Sequence, residues 1–296
     1  MSDFETRVLE VPGARLRYDI RGDLSSSGAA ERALFLIGSP MDAVGFRTLA
    51  SYLTDRPLLT YDPRHAGRSE RIEEGPVSPE VHADDLRRIL DDLGLPAVNL
   101  FGSSGGALNG LVLTGNHPER VRTLIAHEPP SVSVLPDRAR LEAACADIHE
   151  TYQRAGLGAG MAKFLELTSH SGELPADWPD RPAADPARFG LPTEDDGSRD
   201  DPMLGSLLTV PCYELDFPAL AAARTTIYLA SGTESAGQLT ERASRAIASR
   251  LNVTHVVFPS HHGGFLGDEY GMPGEPAAFA SKLRELLDHG ERRRTA

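Results

Sequence analysis

Along this chain the spacing of apolar residues changes period several times. Val8 to Val11 and Ala14 to Ile20 alternate apolar and polar positions, with Pro12-Gly13 between them as a turn, which predicts an antiparallel hairpin at a sheet edge. Ala33 to Ile37 and Pro57 to Asp62 are short, mostly apolar runs of the kind that form strands buried on both faces. Ala97–Phe101, Val121–Ala126, Thr225–Ala230 and Val253–Phe258 read as further strands. Between them, helices are predicted near Ala43 to Leu53 and over Val81–Leu93, Gly105–Asn116, Leu239–Leu251 and Ala277–Leu287, with Pro118 beyond the end of the third. Strands alternating with helices predict an α/β fold with a mostly parallel, doubly wound sheet.

The pattern breaks after Glu128-Pro129-Pro130. Ala139–Ala155 and Gly160–Thr168 have helical spacing with no strand between them, and the stretch from Gly172 to Asp201 is rich in Pro, Asp and Gly, which predicts an irregular loop. The expected organisation is a core formed by residues 1–130 and 223–296, interrupted by a helical insertion at 131–222. A length of 296 residues with 40% hydrophobic content suffices for such a domain. No apolar run approaches a membrane span, and Met1-Ser2-Asp3-Phe4-Glu5 lacks the basic and apolar regions of a signal peptide, so a cytoplasmic protein is expected.

Charge narrows the partners. A formal net charge of −13 disfavours nucleic acid and anionic membrane, leaving a small-molecule substrate, with the chain a monomer or a homodimer. Cys145 and Cys212 are too few for a disulfide framework and are expected to be reduced packing residues. His65-Ala66-Gly67 and His261-His262 lack accompanying metal ligands, and there is no phosphate loop or dinucleotide fingerprint, so neither metal nor cofactor is expected.

The candidate chemistry centres on Asn99-Leu100-Phe101-Gly102-Ser103-Ser104-Gly105-Gly106-Ala107-Leu108, where an apolar strand runs through G-x-S-x-G into a helix. A serine at the middle of that motif sits on a sharp strand-to-helix turn with its oxygen exposed, so Ser104 is the expected nucleophile and the Gly105 N–H a donor to an oxyanion. Ser103, one residue before the apex, is the local rival. A serine hydroxyl needs a base to take its proton, and the base needs a carboxylate to hold its tautomer.

With these features the chain resembles an α/β-hydrolase with a helical cap, and in particular a common bacterial branch of small serine hydrolases, from about Val8 to Leu287. The likeness rests on the serine turn, on Tyr61-Asp62-Pro63-Arg64-His65-Ala66-Gly67-Arg68-Ser69, on His127-Glu128-Pro129-Pro130, and on Phe258-Pro259-Ser260-His261-His262-Gly263-Gly264-Phe265. It implies that His262 is the base, with His261 on the preceding position. For the acid it leaves two places, Glu128 and Glu234, because the position of the family's usual aspartate is Ser235; Asp216 is a distant third. The loop that normally reads His-Gly-x-Pro is Ile37-Gly38-Ser39-Pro40, which makes the Ser39 amide the second oxyanion donor beside Gly105.

The resulting expectation is a serine hydrolase that cleaves a carboxylic ester or related acyl bond of a small, fairly apolar molecule through an acyl-enzyme. Hydrophobes of the insertion, among them Met161, Phe164, Leu165, Trp178, Leu204 and Phe217, could roof an apolar pocket, and Arg64, Arg181 or Arg188 could pair with a substrate carboxylate. Two other functions use the same residues: a non-hydrolytic catalyst of cyclisation, carbon–carbon cleavage or thioester release, and a small-molecule binding protein without turnover.

Overall fold

The structure is a computed structural model that describes residues 4–26, 28–73, 77–182 and 184–295. Met1 to Asp3 of the N-terminal segment, and Ala183 of the Pro/Asp/Gly-rich stretch, lie outside the described residues. Among the described residues nine strands form one sheet: β1 (Phe4–Val11), β2 (Ala14–Arg21), β3 (Leu34–Ile37), β4 (Leu58–Asp62), β5 (Glu70–Arg71), β6 (Val98–Ser103), β7 (Val121–His127), β8 (Thr226–Gly232) and β9 (Thr254–Phe258). The order is β1-β2-β4-β3-β6-β7-β8-β9, parallel from β4 to β9, with β1 and β2 antiparallel at one edge. β5 pairs with β2 through Ala14 and Arg15. At two residues it is too short to leave a periodic signal in the sequence.

Among the described residues the helices are α1 (Ala29–Arg32), α2 (Arg47–Tyr52), α3 (Pro79–Asp92), α4 (Gly105–Asn116), α5 (Arg138–Ser169), α6 (Pro202–Gly205), α7 (Phe217–Ala222), α8 (Leu239–Leu251) and α9 (Pro276–Thr295). Successive strand residues point to opposite faces, and the core divides accordingly. Phe35, Ile37, Leu59, Leu100, Leu124 and Leu229 join the cluster under α3 and α4, while Leu34, Leu36, Leu58, Phe101, Ile125 and Tyr228 join the one under α2 and α9. This is why the central strands read as continuous apolar runs.

Between β7 and β8 the helical spacing over Ala139–Ala155 and Gly160–Thr168 becomes one element, α5, broken at Gly156, whose φ of 83° and ψ of −176° leave the helical region. A third apolar cluster, built on Leu141, Ile148, Tyr152, Leu167 and Leu204, rests on Leu239 and Ala243 of α8. Val210, Leu215, Phe217 and Leu220, toward the end of the same stretch, pack instead into the core of the sheet. The Gly172–Asp201 stretch is irregular apart from short turns at Trp178–Asp180 and Pro186–Phe189. Among the described residues no helix is long and apolar enough to cross a membrane.

Candidate active site

Strand register brings the candidate residues to one rim of the sheet. Ser103 pairs with His127, His127 with Ala230, and Gly232 with Phe258, so the residues that follow β6, β7, β8 and β9 leave the sheet side by side. Ser104 follows β6 with φ 57° and ψ −129°, a strained conformation for a residue with a side chain, and its amide donates to the His127 carbonyl at 3.0 Å. The turn is tight enough that a Cβ on Gly106 would stand 2.4 Å from the Ile37 carbonyl oxygen, and one on Gly105 would stand 2.6 Å from that of Ser39. That closeness sets the start of α4 directly against the Ile37-Gly38-Ser39-Pro40 loop. Ser103, by contrast, is buried, with its hydroxyl 3.3 Å from Nδ1 of His127.

Glu128 immediately follows β7 and is fully buried, with a positive φ of 53°. Its Oε1 accepts the Gly232 amide at 2.8 Å, and its Oε2 accepts the Thr240 hydroxyl at 2.8 Å. Nδ1 of His262 stands 2.5 Å from the same Oε2. Burial works against the charged carboxylate, but the charge and hydrogen bond of His262, with smaller help from His127 and the Ser235 hydroxyl, hold it well below the usual carboxylate range. For His262 burial disfavours the imidazolium, and the Glu128 charge and hydrogen bond outweigh it, so its pKa is raised. The His262 side chain is 40% exposed while that of Glu128 is 0% exposed, so the pair has one wet end and one dry end.

The other sequence candidates are placed differently. Glu234 is exposed on a turn at Thr233–Ser235 and, among the described residues, makes no hydrogen bond to His262; its backbone amide donates to the Ser260 carbonyl. Asp216 caps α7, accepting the Ala219 amide at 2.9 Å. His261 is held within its own loop, Nε2 3.2 Å from the Pro273 carbonyl oxygen and Nδ1 accepting the Gly263 amide. Thr240, the second residue of α8, and the amide of Gly232 were not anticipated, because nothing local marks them as partners of Glu128. His127 is enclosed by Phe101, Phe258, Phe265 and Phe279, its ring centroid 6.2 Å from that of His262. Burial pushes its pKa down to about 4, so it is a neutral ring beside the pair.

Next to the serine turn, a cavity of about 510 Å³ opens between Ser39-Pro40, Arg64, His82 and the start of α6. None of the six hydrophobes singled out in the insertion lines it: Leu204, Met161, Phe164 and Trp178 pack in the cluster around α5, and Phe217 lies under Arg250 in the core of the sheet. Of the three candidate arginines only Arg64 lines the cavity. Arg181 stacks over Trp178 at 4.3 Å, and Arg188 is exposed on the turn at Pro186–Phe189.

Comparison with known proteins bears on the fold and the family. The family model for the alpha/beta hydrolase fold matches residues 34–145. Over 291 residues the chain is 30% identical to a Bacillus subtilis protein named uncharacterized hydrolase YraK, covering 95% of each chain. A shorter stretch of 75 residues is 41% identical to a protein of Caulobacter segnis named putative carbamate hydrolase RutD, spanning 25% of this chain and 28% of that one. Among solved structures, MGS-M2, an alpha/beta hydrolase enzyme from a Medee basin deep-sea metagenome library, superposes with a TM-score of 0.66 at 17% identity over 96% of both chains, a likeness of fold. With a strand-to-helix serine turn on a parallel sheet, and a relative similar over nearly its whole length, the chain belongs to the α/β-hydrolase family and is a hydrolase of that fold.

Proposed function

We propose that the chain is a serine hydrolase that cleaves a carboxylic ester or related acyl bond of a small molecule through an acyl-enzyme. Ser104 attacks the carbonyl carbon while His262 takes its proton. Glu128, bonded to Nδ1, keeps Nε2 as the basic nitrogen and stabilises the imidazolium that forms. The charge that develops on the carbonyl oxygen is met by the amides of Gly105 and Ser39. Gly105 begins a helix, so its N–H has no intrahelical partner, and the Ser39 amide is not spent on another backbone group among the described residues. Protonated His262 then gives its proton to the leaving group, and water, activated by the same histidine, releases the acid and frees Ser104. In this reading residues 131–222 are a helical cap beside the rim, and Glu128 rather than Glu234 is the acid.

The observation that carries the reading is the buried carboxylate of Glu128, bonded to His262 on the rim where Ser104 is held in a strained turn. A carboxylate ending a buried strand is costly unless paired, and here its partner is a half-exposed histidine. The test is intact-protein mass after reaction with a fluorophosphonate, on the wild type, Ser104→Ala and Ser103→Ala. One adduct in the wild type and Ser103→Ala, and none in Ser104→Ala, is the expected result. An unlabelled wild type would remove the serine mechanism and favour binding without turnover.

A further inference from the structure

Two segments from distant parts of the chain meet at the rim. One is the Ile37-Gly38-Ser39-Pro40 loop, which runs on through Asp42 and a turn at Ala43–Phe46 into α2. The other follows β9, carries His262 and leads to α9. Three contacts tie them together. The rings of Phe46 and Phe265 stack with centroids 5.3 Å apart. The Tyr270 hydroxyl donates to Oδ1 of Asp42 at 2.6 Å. Glu269 reaches the start of α2, where its Oε1 accepts the Thr48 amide at 3.0 Å and the Thr48 hydroxyl at 2.7 Å. The same carboxylate closes its own loop, since Oε2 accepts the Gly267 amide at 2.7 Å.

The Glu269 side chain is fully buried although it stands in a loop. Burial works against its charge, but the Thr48 hydroxyl and the amides around it hold its pKa below the ordinary carboxylate value. The Thr48 amide, in the first turn of α2, has no intrahelical acceptor, and Glu269 supplies one from 221 positions away. The fit is close, because a Cβ on Gly267 would stand 2.4 Å from the Thr48 hydroxyl oxygen. Tyr270 is held at a φ of 59°, which is unfavourable for a bulky residue and is maintained by its surroundings. We propose that Glu269 and Tyr270 are positioning residues, a clasp that keeps the Ser39 amide in register with His262. This rests on the acyl-enzyme reading above. Neither side chain need touch the reacting atoms: they act through Thr48 and Asp42 on the loop that carries Ser39. A base and an oxyanion donor on separate loops must keep their spacing to within a fraction of an ångström, since a misplacement of about 1 Å costs about a hundredfold in rate.

The test uses p-nitrophenyl acetate as substrate and phenylboronic acid as inhibitor, on the wild type, Glu269→Ala and Tyr270→Phe, with Ser104→Ala as background. On binding, the Ser104 oxygen bonds to boron, its proton passes to His262, and a boron hydroxyl takes the place of the oxyanion. The inhibition constant therefore reports the spacing of base and oxyanion donor, and it does not depend on how much of a preparation is folded. Rates are expressed per serine titrated with a fluorophosphonate. Glu269→Ala is expected to lower kcat/KM about tenfold to a hundredfold and to weaken phenylboronic acid by a similar factor. Tyr270→Phe, which removes one hydroxyl from an exposed side chain and so leaves the fold intact, is expected to change both by about threefold to tenfold. Should Glu269→Ala fail to fold, Tyr270→Phe decides alone. Both quantities within twofold of the wild type in the folded variants would overturn the clasp and leave the hydrolase standing. A wild type that neither turns over the ester above the Ser104→Ala background nor binds phenylboronic acid would overturn the acyl-enzyme reading, and the clasp with it.

Discussion

Among the fully buried carboxylates that face a cationic or potentially cationic partner, Glu128 against His262 and Asp85 against Arg64 are tuned by their surroundings in opposite directions. Glu128 is held well below the usual carboxylate range, whereas burial, which Arg64 only partly offsets, raises the pKa of Asp85. Burial acts on both, so it is the donors that differ. Glu128 receives hydrogen bonds from three separate elements: the Gly232 amide ending β8, the Thr240 hydroxyl on α8, and His262 after β9. Asp85 receives both of its hydrogen bonds from the single guanidinium of Arg64, and the neighbouring charge of Asp84 adds to the cost of ionising it. A buried carboxylate supported on several sides stays charged and can orient a base, while one bound to a single fixed cation anchors that cation.

The most direct way to break this contrast is Glu128→Gln, which keeps the shape but removes the charge facing His262. If Glu128 orients the base, kcat/KM should fall about a hundredfold to ten-thousandfold. Glu234→Gln should stay within about twofold in the same assay, and comparable losses in the two variants would end the assignment. Asp85→Asn should act on stability instead, lowering the free energy of urea unfolding by about 3–5 kcal/mol because it leaves the Arg64 charge buried and unpaired. A change under about 1 kcal/mol would mean that water reaches Arg64 and that the pair is not dry.

A finer contrast lies in the pH dependence. His262 must be neutral to accept a proton, so the rate should rise with pH, and the midpoint should lie above the ordinary histidine value of 6.5 because Glu128 favours the charged form. Removing the Glu128 charge should move that midpoint down, whereas Asp85→Asn should leave it in place. The smallest effect belongs to Thr240→Val, which takes away one of the three donors to Glu128 without changing side-chain shape. There kcat/KM should drop about tenfold or less, with the protein otherwise folded by circular dichroism.

Much of the architecture was legible before any coordinates. Phe35, Leu36, Leu100 and Phe101 sit in strands covered on both faces, so their runs are apolar at every position, and the sheet could be read from them. The sharp turn at Ser104 was legible because the small residues around it answer a local crowding, the approach of α4 to the Ile37-Gly38-Ser39-Pro40 loop. The choice between Glu128 and Glu234 was not. Both follow strands by one or two residues, and only the pairing of His127 with Ala230, and of Gly232 with Phe258, decides which side chain turns toward His262. What covers the hydrophobes of the insertion was not legible for a related reason. An apolar residue must be covered, but its own sequence does not say whether helix, sheet or ligand covers it, and here α5, α8 and the core of the sheet do.

The sequence by itself therefore determined the alternation of strands and helices, the sharp turn at Ser104 and the interruption after Glu128, since each follows from periodicity or crowding among residues close along the chain. Only the tertiary structure decided that Glu128 and His262, 134 positions apart, share a hydrogen bond, that Thr240 supports them, and that Glu269 reaches the start of α2. The reason is physical. Backbone preference and hydrophobic period act over a few residues, whereas a site is built where the ends of parallel strands converge, and that convergence is set by sheet register rather than by any local signal.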